Sequence, residues 1–165
     1  MILRWAKTAL VAAVAFAYTL VVFDNLTDYG SNYQFVRHVL MMDTTFPGNH
    51  GMWRAIDSPA IHTLFYVSII AWEIATCLLL WWGVAQMLRA MRGSAQEFDR
   101  AKTASFAGLT LSLLMWLVAF LDVGGEWFLM WQSPSWNGEM AAAREFVVVG
   151  IVFLILQHRE SELNS

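Results

Sequence analysis

The stretch Phe65–Trp82, FYVSIIAWEIATCLLLWW, decides how the chain is to be read. Almost every position is apolar, and one ionisable residue, Glu73, stands in its middle. As a helix rising 1.5 Å per residue it nearly fills the ~30 Å hydrocarbon core of a bilayer. Upstream, Asp57-Ser58-Pro59 offers a cap and a proline at the first helical position. Downstream the pattern runs to Arg92, so the helix would measure ~50 Å and about two or three turns would project beyond the membrane. Three further apolar runs follow the same logic: Thr8–Phe23, Thr103–Leu121 and Phe146–Leu156. The last is short. It spans only if its helix starts near Asn137 and carries Arg144 and Glu145 into the outer part of the membrane. For the first run, a secretory signal cleaved after Ala15-Phe16-Ala17 is disfavoured, because YTLVVF continues the apolar stretch past that point.

Composition agrees. Of 165 residues 58% are hydrophobic and only 14% charged, which is too apolar for a soluble domain of this length. The ten Lys and Arg against a net charge of −3 are too few and too scattered to track a phosphate backbone, which argues against a nucleic-acid partner. A single cysteine, Cys77, leaves no internal disulfide and no paired thiolates for a metal.

Basic residues set the expected orientation. Arg4, Lys7, Arg89, Arg92, Arg100, Lys102 and Arg159 fall on one side of the four runs, and Arg37, Arg54 and Arg144 on the other. Both termini are then cytoplasmic. Trp5, Trp81 and Trp82 mark the inner boundary, and Trp53, Trp127, Trp131 and Trp136 the outer one. At the inner connection Ser94-Ala95-Gln96-Glu97 reads as a capping box, with Gly93 placed to end the preceding helix in a left-handed conformation.

The outer segments hold a weak repeat. Displaced by 98 positions, Tyr18 falls on Trp116, Asp24 on Asp122, Asp28 on Glu126 and Tyr29 on Trp127. With another offset VLMMDTTFPGN lies over FLMWQSPSWNG. In NYQFVRHVLMM, Tyr33, Val36, Val39 and Leu40 recur at helical spacing, which predicts a short amphipathic helix on the outer surface. EWFLMW would be its shorter counterpart, with FPGN and WNG as turns.

The sequences NLTDYGSNYQFVRHVLMMDTTFPGN, MWRAI and GGEWFLMWQSPSWNG, in a chain of this length, resemble an uncharacterised bacterial family of predicted small integral membrane proteins, a domain of unknown function. The resemblance covers nearly the whole chain. It implies four spans in a bacterial inner membrane and brings no activity, cofactor or catalytic residue.

Candidate site residues come from position alone. Glu73 near mid-bilayer costs ~2.5 to 3.5 kcal/mol on insertion scales and should face the bundle interior. It is either a proton-relay, ion or ligand site, or a packing residue held by one hydrogen bond. Arg144 either reaches inward toward it or snorkels to the surface. The acids Asp24, Asp28, Asp122 and Glu126 stand at equivalent helix exits and either line a cation pocket or are solvated, with Arg37 or Arg54 as partners. His38, His50 and His62 fall outside and His158 inside, without the spacing of a metal or haem site, so capping and surface roles are expected. Asn25-Leu26-Thr27 matches a glycosylation sequon but hugs the membrane. No nucleophile triad, phosphate loop or HExxH occurs, so no reaction, metal or cofactor is expected.

The expected architecture is therefore an all-α integral membrane four-helix bundle. Its spans lie near 5–23, 59–88, 100–122 and 138–158, with an ordered periplasmic cap from 24–58 and 123–137, all in one domain of 1–165 made of two pseudo-repeats. The expected role is that of a non-enzymatic accessory or scaffold protein, with the bilayer, another membrane protein or a second copy as partner. The alternative is a binder or conduit for a small polar molecule, proton or lipid, using Glu73 and the outer acids.

Overall fold

A computed structural model describes residues 1–160. Residues 161–165, which the single-domain expectation includes, lie outside the described residues. The chain is all-helical, with no strand among the described residues. The long elements are α1 (Ile2–Thr27), α3 (Pro59–Arg89), a composite of α4 (Ala95–Ala101) and α5 (Thr103–Leu114) prolonged by a π-helical segment (Met115–Trp127), and α6 (Glu139–Gln157). A shorter helix, α2 (Tyr29–Met41), follows α1 with only Asp28 between them.

Three of these helical stretches, Ile2–Thr27, Pro59–Arg89 and Ala95–Trp127, are long and apolar enough to cross a membrane. α6 has 19 residues and carries Arg144 and Glu145 in its second turn.

The packing is inverted relative to a soluble bundle. On α3 the buried positions His62, Tyr66, Ile70, Glu73, Thr76, Leu80, Gly83 and Met87 recur every three or four residues and include four polar side chains, His62, Tyr66, Glu73 and Thr76. Leu64, Val67, Leu78, Trp81 and Trp82 are exposed instead. An apolar exterior around a partly polar interior is stable in lipid, where tails solvate the outer face and interior polar groups bond one another. α1 does the same: Arg4, Lys7, Thr8, Val11, Ala15, Tyr18 and Asn25 are buried, while Phe16, Leu20 and Phe23 face out.

α3 lies between α1 and α5, and α6 closes against α5, the π segment and α1. Small residues permit the close crossing of α3 and α5: a Cβ on Gly108 would sit 2.8 Å from Leu80 Cγ, and one on Gly83 would collide with Ser105. Trp72 Nε1 reaches across the same contact to donate to Leu111 O at 3.1 Å.

Several local expectations hold. Ser94 Oγ accepts from Glu97 N at 3.2 Å while Glu97 Oε2 accepts from Ser94 N at 2.7 Å, a complete capping box. Pro59 occupies the first turn of α3. Gly48, with φ +78°, turns the FPGN segment, and Asn49 N donates to Phe46 O at 3.3 Å.

Others are corrected. Gly93 is not left-handed; α3 ends through tight turns from Met91 N to Leu88 O and Gly93 N to Ala90 O. Gly93 is small for another reason: a Cβ there would lie 2.6 Å from the Glu97 carboxylate. Ser58 sits at the N-cap of α3, but its side chain makes no cap hydrogen bond. His62 caps this end instead, Nε2 donating to Ile56 O at 2.8 Å from a buried ring.

The insert between α1 and α3 is folded. α2 packs on the start of α3, and Ile56 N donates to Leu40 O at 2.8 Å, drawing the far end of the insert back against the helix. The segment after the π helix forms a 3₁₀ turn, Met130–Gln132, far shorter than α2, so the two units that the sequence repeat pairs differ in size. They meet directly. Thr44 and Ser133 hydroxyls lie 2.7 Å apart, Gln132 Oε1 accepts from Phe46 N at 3.1 Å, and His38 stacks on Trp136 at 4.6 Å.

Candidate functional site

Glu73 is 3% exposed, on the buried stripe of α3. Seven residues before it, and so two turns along the same stripe, stands Tyr66. Asn25, in the last turn of α1, lies between them: Tyr66 Oη donates to Asn25 Oδ1 at 2.9 Å, and Asn25 Nδ2 donates to Glu73 Oε2 at 2.7 Å. A carboxylate can only accept, so it sets which way the amide points, and Asn25 Oδ1 is left to accept from the tyrosine hydroxyl. Tyr29 and Tyr33 pack around Tyr66, Tyr29 edge-on at 4.7 Å.

The network borders a cavity of about 470 Å³ between α1, α2, α3, the π segment and α6. Its polar lining is Asp24, Asn25, Asn32, Tyr66 and Glu73. The remainder is apolar and aromatic, with Phe35, Trp116 and Phe120 the largest groups. Asp24 is exposed and accepts from Asn32 Nδ2 at 3.1 Å, so each of the two carboxylates is oriented by one asparagine amide. The volume falls within the range of small-molecule pockets, and apolar walls with a few convergent polar groups are typical of them. One wall is built from the π segment, a winding concentrated at functional sites in other proteins.

The other expected site residues do not join this cavity. Asp28 is exposed at the junction of α1 and α2, where its carbonyl accepts from Asn32. Asp122 and Glu126 are exposed on the π segment. Arg54 bonds the Glu126 carbonyl at 3.4 Å rather than its carboxylate, and its guanidinium lies near the rings of Trp53 and Trp127. Arg37 donates to Gln34. Arg144 is turned outward, 70% exposed and 3.3 Å from Glu145, so it does not reach Glu73. The helix exits point their acids in different directions, and only Asp24 shares a space with Glu73.

Sequence reasoning missed Asn25 as a partner of Glu73, and Tyr66 and Asn32 altogether. Tyr66 was accessible by counting from Glu73 along the stripe. Asn25 was not, because which side chain of α1 meets Glu73 depends on how the two helices are docked.

A second buried polar cluster closes the opposite end of the bundle. Arg4, Lys7 and Lys102 are at most 2% exposed. Arg4 Nη1 donates to the carbonyls of Met91 and Gly93 at 3.0 and 2.7 Å. Lys7 Nζ meets Glu160 Oε1 at 2.6 Å, and Lys102 Nζ meets Asp99 Oδ1 at 2.6 Å and the His158 carbonyl at 2.9 Å. Burial alone would raise the Glu160 carboxyl; the Lys7 hydrogen bond and the charges of Lys7 and Lys102 outweigh it and hold the group below the ordinary glutamate value. These basic residues, legible only as flanking charge, tie the beginning of α1 to the α3–α4 turn and to the end of α6.

Residues 3–159 match the family described as predicted small integral membrane protein (DUF2165). The chain belongs to that family. The matched region contains the whole Glu73 cavity and the three buried cations, and the resemblance carried by the MDTTFPGN segment is thereby shown. No curated protein and no solved structure matches the chain. The family description places the protein in a membrane.

Proposed function

We propose that the protein binds a small amphipathic molecule within the membrane, in the cavity that ends at Glu73. The observation that carries this reading is the cavity itself: about 470 Å³ of space beside a buried carboxylate in the apolar part of a membrane helix. A glutamate serving packing alone needs no cavity beside it, because enclosure among hydrogen-bond partners already lowers the cost of an ionisable group inside a bilayer. The tyrosine, asparagine and glutamate chain gives the site a fixed polar floor. The apolar walls accept the body of the ligand.

The reading is set in a bacterial inner membrane with both termini cytoplasmic. α6 acts as a fourth span whose Arg144 snorkels to the outer boundary, and α2 and the Met130–Gln132 turn form a periplasmic cap. Basic residues at the α3–α4 connection and at Arg159 support that orientation.

The test is gentle detergent extraction followed by mass spectrometry of what co-purifies. Ala141 lines the cavity from α6, so Ala141→Trp should fill it. The wild-type protein should carry a small molecule that the Ala141→Trp protein, folded to the same thermal midpoint, lacks. Identical small-molecule content in both would sink the binding role.

A scaffold role is the second reading, supported by exposed aromatic groups on the outer surface. Trp53 and Trp127 meet edge-on at 5.7 Å with Arg54 beside them, and Phe46 meets Trp131. Such rings also suit the headgroup region, so this patch does not by itself require a protein partner.

A further inference from the structure

We infer that the molecule held in the Glu73 cavity is an organic monocation, an alkyl- or arylalkylammonium whose charged head meets the carboxylates and whose apolar body lies along the aromatic wall. The inference rests on the binding role proposed above and adds the charge and class of the ligand.

Charge is the first argument. Glu73 and Asp24 both line the cavity, and neither takes part in an ion pair among the described residues. The nearby cations are all engaged elsewhere: Arg37 of α2 with Gln34, Arg54 with the Glu126 carbonyl and two indoles, and Arg144 of α6 with Glu145. The charged side chains among the lining residues are thus both acids, Glu73 and Asp24. An anionic occupant would add like charge beside them, and a neutral one would provide no counter-charge for an ionised Glu73. A cation answers both.

Geometry is the second. Asn25 engages Glu73 through Oε2 only, and Asn32 engages Asp24 through Oδ2, which leaves each carboxylate an oxygen to accept from an ammonium. The amides face their carboxylates with N–H, so they orient the acceptors without competing for the cation.

The lining distinguishes an organic cation from a metal ion. A hard metal ion is satisfied by six or more oxygens. Here Asn25 Oδ1 is already taken by Tyr66, and most of the remaining wall is carbon: Leu20, Val21, Ile69, Phe35, Trp116 and Phe120. Aromatic faces beside carboxylates are instead the combination that holds an ammonium, through cation–π attraction and burial of its hydrocarbon.

The experiment uses the full chain in phosphatidylcholine nanodiscs near neutral pH, titrated calorimetrically with three probes of similar shape: phenethylammonium, phenethyl alcohol and phenylpropionate. Phenethylammonium should bind saturably, about tenfold or more tighter than either analogue, as loss of a close charge pair would give. Glu73→Gln should weaken it by at least about tenfold, and Asp24→Asn, at the exposed mouth, by roughly two- to fivefold. Ala141→Trp should abolish it. Asp24→Asn keeps the test decisive where Glu73→Gln fails to fold. Equal binding of the neutral or anionic probe, blocked by Ala141→Trp and unaffected by the acid substitutions, overturns the cationic class and leaves the binding role standing. Saturable binding by none of the three, or cation binding that Ala141→Trp leaves intact, overturns both.

Discussion

Asn25 shows how much one side chain can organise when it joins two helices. Its amide accepts from Tyr66 on one side and donates to Glu73 on the other, so its loss removes both bonds at once. Asn25→Ala should lower stability by about 1–3 kcal/mol, the cost of leaving buried polar groups unpaired, read as a fall in thermal midpoint in detergent. A change no larger than that of an exposed control such as Thr27→Ala would mean the network does not hold α1 to α3. Glu160 gives a prediction of a different kind. Its carboxyl lies below the ordinary glutamate value in the folded protein, so its contribution is complete above the unfolded value of about 4.3 and is lost as pH falls through the lower, folded value. Glu160→Gln should therefore destabilise at neutral pH by about 1–3 kcal/mol and flatten the acid limb of the stability profile. Parallel profiles for variant and wild type between pH 3 and 7 would exclude the ion pairs that Glu160 makes with Arg4 Nε at 3.4 Å and Lys7 Nζ at 2.6 Å as a source of stability. Tyr66 was within reach of a stripe count from Glu73, whereas Asn25 and the burial of Arg4 and Lys7 were not. A basic residue at the end of an apolar run looks the same in sequence whether it meets water or a partner carboxylate.

At the scale of elements, the insert between α1 and α3 separates what patterning shows from what it does not. The spacing of Tyr33, Val36, Val39 and Leu40 located α2, but the helix begins earlier, at Tyr29, and Gln34, Arg37 and His38 are half-buried rather than solvated. The opposing outer segment covers the polar side of the helix, with His38 stacked on Trp136. Because α2 is tied by the Ile56–Leu40 bond and by contacts from both outer segments, its amides from Tyr33 to Leu40 should exchange far more slowly than those of the Pro47–His50 turn. Hydrogen exchange followed by mass spectrometry measures this directly. Comparable rates in the two segments would show that the cap is not a cooperative part of the fold. The π segment had no counterpart in the sequence reading. Its apolar run was equally compatible with α-helix, and the wider winding appears where the chain lies against α6 and lines the Glu73 cavity.

For the whole molecule, the proposed topology makes a prediction that involves no ligand. In a Cys77→Ser background, a cysteine at Asn49 should react with a membrane-impermeant thiol reagent applied to cells with a permeabilised outer membrane, and one at Ser94 should not. Reaction at Ser94 but not at Asn49 would reverse the orientation and place the cap and the cavity mouth in the cytoplasm. The two ends of the bundle are built differently. One is locked by three buried cations and their acceptors, and the other retains a cavity bordered by a glutamate and an aspartate. Polar groups in a membrane bundle stabilise most where they pair, so the first end is suited to holding the helices together, and the second is where the proposed ligand would sit.

The sequence by itself determined that the chain is helical, that it belongs in a membrane and which residue is out of place in its apolar helices. Those properties depend on composition and on local period, and both can be read along a single chain. The tertiary structure alone decided that Glu73 meets Asn25, that Asp24 shares its cavity while Asp28, Asp122, Glu126 and Arg144 do not, and that Arg4, Lys7 and Lys102 of the basic flank are buried. Each of these follows from the relative rotation and offset of packed helices. A shift of one residue turns a helix by about 100°, enough to move a side chain from the interior to the lipid without altering the periodicity that revealed the helix.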